Sequence, residues 1–119
     1  MKIQSYKELI AYKKAFEAVK QVYAVTSKFP KEEMYGLTAQ MRRSSISIPS
    51  NIAEGYMRGS KEYVQFLKIA LGSSAELETQ LQLCSHIGFL SAEDYERLYS
   101  VTQEVMKLLS SYIRKLSVN

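Results

Sequence analysis

The sequence is short of the residues that break helices and of those that build reactive or metal centres. Two prolines and five glycines interrupt 119 residues, and a chain so poor in breakers favours helices. A lone cysteine, Cys84, excludes an internal disulfide. With His86 as the single histidine, the chain cannot assemble a Cys/His zinc site by itself, so neither a metal nor a cofactor is expected. The Glu-x-x-His pairs that hold di-iron centres in helical bundles are missing as well, which sets metal-dependent oxidation aside. No apolar run approaches the roughly 20 residues needed to span a bilayer. The opening MKIQSYKELIAYKK lacks the uninterrupted apolar core of a signal peptide. The expectation is a cytoplasmic protein with no membrane partner.

What is present suits a single globular domain over residues 1–119, with 46% hydrophobic and 24% charged residues. The net charge of +4 is unevenly spread. Residues 1–31 carry Lys2, Lys7, Lys13, Lys14, Lys20, Lys28 and Lys31 against Glu8 and Glu17, a net +5, and the remainder sums to −1. The basic character belongs to the first predicted helix and the turn after it.

Four helices follow from the spacing of apolar residues. The first spans about 6–27, with Leu9, Tyr12, Phe16, Val19 and Tyr23 on one face, and Phe29-Pro30 ends it. The second, about 33–56, carries Leu37, Met41, Ser44, Ile48, Ile52 and Gly55. Pro49 removes one hydrogen bond and predicts either one bent helix or two shorter ones, and the unbroken apolar phase favours the bent helix. The third, about 60–87, begins at Ser60 as a candidate cap and ends before Gly88; its seam is Tyr63, Leu67, Ala70, Ser74, Leu77, Leu81 and Cys84. Ser91 caps the fourth, about 91–116, with Tyr95, Leu98, Thr102, Val105, Leu109, Tyr112 and Leu116 inward. Short connections make neighbours antiparallel, so the fold class is all-α, an antiparallel up-down four-helix bundle. Val101, Met106, Leu108 and Ile113 widen the last apolar face beyond one seam, which predicts a homo-oligomer.

The second helix is the unusual one. Arg43, Ser47, Asn51 and Glu54 stack one turn apart at or beside core positions, and the third helix offers Ser73, Ser74, Glu76 and Gln80 across from them. Two readings stay open. The arginines can bind a phosphate bidentately, or the stripe is a structural polar network of Arg43, Ser47, Asn51, Glu54 and Glu76, with an arginine meeting Glu76 in the interior. Catalysis is not expected, because no nucleophile stands beside an evident base. His86, near a helix C-terminus, is suited to the terminal carbonyls.

Lys7, Lys13, Lys14, Lys20, Arg42 and Arg43 are the candidate nucleic-acid contacts, through phosphate neutralisation that needs no base recognition. The alternative for the lysines is a solvated face that keeps the protein soluble. An oligomer would repeat one basic helix into a continuous surface. Most of the nine tyrosines fall on apolar stripes, while Tyr35 and Tyr56 flank the polar helix as candidate contacts for bases or partners.

The run from Phe29-Pro30 through Glu33, Tyr35-Gly36-Leu37, Gln40 and Arg42-Arg43, continued by Ser47-Ile48-Pro49-Ser50-Asn51-Ile52-Ala53-Glu54-Gly55 and by Gly72 to Gln80, resembles the bacterial four helix bundle protein family. These proteins are also known as 23S rRNA-intervening sequence proteins. The resemblance covers nearly the whole chain. It implies an up-down bundle assembled as a ring-like homo-oligomer, a pentamer, and kinship with the accessory variability determinant of diversity-generating retroelements. That relative is a basic pentameric barrel that binds nucleic acid and a reverse transcriptase. The resemblance marks Arg42, Arg43, Asn51, Glu54 and Glu76 as family-type residues without assigning them a chemistry. The partners to expect are further copies of the chain, RNA or DNA, and a protein such as a polymerase. The reading that competes with nucleic-acid binding is a protein-interaction adaptor or scaffold.

Overall fold

The protein is represented by a computed structural model in which residues 5–117 are described, so Lys2 lies outside the described residues. Its first element is a 3-10 turn, Tyr6–Glu8, capped by Ser5, whose Oγ accepts from the Lys7 N–H at 3.1 Å. Leu9 then adopts an extended conformation that directs it into the core, and helix α1 runs Ile10–Thr26. The predicted first helix is therefore shorter at its start.

Its buried face also differs from the expected one. Ala11, Ala15, Ala18, Val22 and Val25 point inward, whereas Phe16 and Tyr23 are 53% and 41% exposed. Small side chains let α1 lie close to its neighbours, and the aromatic residues turn to its edge.

A second 3-10 turn, Lys31–Glu33, leads to α2, Leu37–Arg58, which continues through Pro49 as one helix. The serines before the proline are satisfied within the helix: Ser44 Oγ donates to Gln40 O at 3.0 Å and Ser45 Oγ to Arg42 O at 2.9 Å. Met41, Ser44, Ile48, Ile52 and Gly55 of the predicted seam are buried.

Gly59, at φ 103°, turns the chain into α3, Ser60–His86. The residue at the cap is Gly59, and Ser60 is the first residue of the helix. Gly88 (φ 86°) closes α3, with the Phe89 N–H reaching back to Cys84 O at 2.9 Å, the left-handed C-terminal arrangement that glycine permits. Ser91 Oγ then accepts from the Asp94 N–H at 3.1 Å and starts α4, Ala92–Ser117.

Contacts fix the topology. Met41, Ser47 and Gly55 of α2 meet Cys84, Ser73 and Phe66 of α3, in opposite sequence order. Arg42 touches Thr26 while Tyr56 meets Tyr6, which makes α2 antiparallel to the first segment. Tyr63 meets Tyr112 near the start of α3 and the end of α4, and Gln103 bonds Glu78 farther along. The four helices close a cycle, α1 to α2 to α3 to α4 and back to α1, and no strand occurs among the described residues.

Because α4 packs against both α3 and α1, its wide apolar face is used inside the bundle. Val101 is buried, and Met106, Leu108 and Ile113 are half-buried, so they do not form the free face on which the sequence argument for an oligomer rested. No helix among the described residues is long and apolar enough to cross a membrane.

Candidate nucleic-acid interface

The aromatic residues displaced from the core define a seam between α1 and α2. Tyr12, Phe16 and Val19 of α1 face Ile46, Pro49 and Ala53 of α2 across a cavity of about 350 Å³, with Lys20 on its rim. Tyr12 and Phe16, ring centroids 6.0 Å apart, also line an adjoining hollow of about 550 Å³ with Lys7 and Lys13. Lys7, Lys13 and Lys20 thus flank one exposed ring, Phe16, and one half-buried ring, Tyr12.

Helical geometry explains why the predicted lysines divide. Lys13 and Lys20 are seven residues apart, two turns along one face of α1. Lys14 is rotated away and pairs with Glu104 of α4 at 3.4 Å. Lys20 contacts Glu17 at 3.6 Å, but with both side chains about half exposed or more the pair is open to water, and such pairs contribute little. Lys7 and Lys13 make no ion pair among the described residues.

Toward the far end of the seam, the Arg42 guanidinium lies 4.4 Å from the centre of the Tyr23 ring, and its Nε donates to Thr26 Oγ1 at 3.0 Å. Arg43, one residue on, is exposed. The two arginines therefore differ: one is held by an aromatic face and a hydroxyl, the other extends into solvent.

The polar stripe lies on the opposite flank of α2, against α3. Ser47 Oγ and Ser73 Oγ are 2.8 Å apart, and Asn51 Nδ2 donates to Ser47 O and Oγ at 2.8 and 2.9 Å. This small network joins the two helices. Arg43 and Glu76 are both exposed and form no ion pair with each other, so the expected interior arginine–Glu76 contact is not made; their positions on their helices point them to solvent.

Glu54, also exposed, pairs instead with Arg58 at 2.8 Å, and Arg58 reaches Glu62 at 3.1 Å. Hydrogen bonding to Glu54 and then to Glu62 raises the pKa of Arg58. The guanidinium also lies 4.9 Å from the Phe66 ring. This cluster ties α2 to the start of α3, a role that the stripe's sequence spacing did not reveal, although Glu54 and Arg58 are four residues apart.

Tyr56 belongs to a cluster of rings at one end of the bundle. Tyr6, Tyr12, Tyr56, Tyr63 and Tyr112 are linked by centroid distances of 5.2 to 6.2 Å. Burial raises the pKa of Tyr63 and, to a lesser degree, of Tyr112. Tyr35, by contrast, is 93% exposed in the turn before α2. His86 is exposed at the end of α3. Among the described residues, no group of three or more His, Cys, Asp or Glu side chains is placed to hold a metal ion.

Residues 7–111 match the model of the 23S rRNA-intervening sequence protein family. The chain is also similar to the crystal structure of a protein with unknown function from the S23 ribosomal protein family of Bacteroides thetaiotaomicron. The two are 28% identical with a TM-score of 0.79, over 88% of this chain and 96% of the other. No curated protein matches the chain.

Proposed function

The chain belongs to the 23S rRNA-intervening sequence protein family, and from its surface we propose that it is a cytoplasmic, non-enzymatic, homo-oligomeric bundle that binds RNA or DNA through a repeated basic surface. The observation that supports this reading is the α1–α2 seam, where Lys7, Lys13 and Lys20 flank the exposed ring of Phe16 and the half-buried ring of Tyr12. Lysines neutralise phosphates, and an exposed aromatic face can stack a base of any identity. Assembly around an axis would repeat that seam once per copy. A pentameric ring, and kinship with the accessory variability determinant, are the form of assembly that this reading favours.

Charge reversal tests it. Lys7→Glu, Lys13→Glu and Lys20→Glu together are expected to remove binding to fluorescent single-stranded and hairpin oligonucleotides while leaving the circular dichroism spectrum and melting temperature near those of the parent. Unchanged affinity in the triple variant contradicts the proposal.

A second reading, the protein-interaction adaptor, is supported by exposed apolar side chains in the same region, Phe16 at 53%, Ile46 at 42% and Met57 at 72%. Its partner would be a protein such as a polymerase. Capture of one defined partner that survives nuclease treatment and is lost on Ile46→Glu favours this reading over the first.

A further inference from the structure

At the α1–α2 turn, Arg42 is held in a way that leaves its binding groups free. Thr26 Oγ1 donates its proton to Val22 O at 2.7 Å, so its lone pairs face Arg42 Nε, which donates to it at 3.0 Å. The guanidinium plane is supported by Tyr23, 4.4 Å from the ring centre. Neither terminal nitrogen has a hydrogen bond or an ion pair among the described residues, and no carboxylate lines the surrounding cavity of about 270 Å³. Lys31 and Thr38 line it with Arg42.

An arginine fixed at Nε and on one face presents its two terminal amino groups as a preformed fork, the geometry that matches two oxygens of a tetrahedral anion. Lys31 supplies a second positive charge and Thr38 a hydroxyl. The cavity is smaller than the roughly 300–1,000 Å³ of pockets for drug-sized ligands, which suits a single anionic group better than a whole metabolite.

We propose that Arg42, with Lys31 and Thr38, forms a phosphate-binding subsite at the α1–α2 turn. The phosphate can come from a nucleic-acid strand lying along the seam or from a free phosphate monoester, and the ligand chemistry is shared. Only the first source rests on the nucleic-acid reading above.

The test follows the Arg42 Nε–H resonance in ¹⁵N-labelled full-length protein titrated with inorganic phosphate, with sodium chloride matched for ionic strength. A saturable shift with phosphate and none with chloride is expected. Arg42→Gln should weaken phosphate binding, read from the Lys31 backbone amide, by about tenfold or more, the scale of losing charged hydrogen bonds. Because Arg42 also supports Thr26 and Tyr23, Lys31→Gln provides a second variant that touches neither and should weaken binding severalfold. Equal responses to phosphate and chloride, or undiminished phosphate binding in both variants, overturn the proposal.

A 5′-phosphorylated oligonucleotide, its unphosphorylated twin and adenosine monophosphate distinguish the sources. Both oligonucleotides shifting Arg42 at lower concentration than the monophosphate points to strand phosphates; the monophosphate acting alone points to a free ligand. Saturable phosphate binding in a protein that binds no oligonucleotide supports the subsite and overturns the nucleic-acid reading. Oligonucleotide binding without any response at Arg42 to phosphate does the reverse.

Discussion

A β-carbon at position 55 would stand 2.6 Å from Phe66 Cβ and 3.2 Å from Tyr63 Cδ1. Gly55→Ala must therefore push α2 and α3 apart, at about 1–3 kcal/mol, the usual range for overpacking, read as a lower urea midpoint. Cys84 makes a different residue-scale prediction. Burial, with a smaller effect of the Glu33 charge, pushes its thiol up to about 11, whereas an unfolded cysteine titrates at about 8.5. Between those values the folded state holds the proton that the unfolded state has lost, so stability is full below about pH 8.5 and declines toward pH 11. Tyr63 and Tyr112, whose pKa values are also raised by burial, continue the decline at higher pH. Cys84→Ala should make the alkaline slope of unfolding free energy shallower, measured by urea titrations across that range.

At the scale of elements, α1 shows what spacing conveys and where it misleads. Both sets in that helix recur at steps of three and four: Tyr12, Phe16, Val19 and Tyr23, and Ala11, Ala15, Ala18, Val22 and Val25. Hydrophobic weight favours the first set, but packing uses the second, because alanines permit close approach to two neighbours. The seams of α2, α3 and α4 carried Met, Ile and Leu at their inward positions, where weight and phase agree, and they were legible except at Leu116, which was expected inward but is exposed in the last turn of α4. The site was legible only in its parts. That Lys13 and Lys20 are cations is plain from sequence; that they border the exposed ring of Phe16 while Lys14 turns to Glu104 depends on the rotation of α1. Two glycines make an element-scale test. Gly59 has φ 103°, so Gly59→Ala should destabilise by about 1–3 kcal/mol. Gly72 lies within α3 with nothing near its missing β-carbon, so Gly72→Ala should stabilise by about 0.5–1 kcal/mol. Thermal melts of the two variants are expected to move in opposite directions.

For the whole molecule, the described chain forms a rod of 46 × 24 × 22 Å whose exposed large apolar side chains fall mainly on α1, α2 and α3, including Phe16, Ile46, Met57, Ile69 and Leu83. Such surface is ordinarily covered by a partner when it is contiguous, and the α1–α2 part of it borders the lysines. The proposed homo-oligomer predicts a light-scattering mass at an integer multiple, above one, of the 13.6 kDa chain, and a monomer mass at all concentrations contradicts it. The most direct test of the basic seam is the salt dependence of single-strand binding, compared between the parent protein and the Lys7, Lys13 and Lys20 charge-reversal variant. Each phosphate neutralised on a single strand contributes about −0.7 to the slope of log affinity against log salt. A steep negative slope in the parent, shallower by about two or more in the variant, is the predicted result; identical slopes in the two proteins would contradict nucleic-acid binding at this seam.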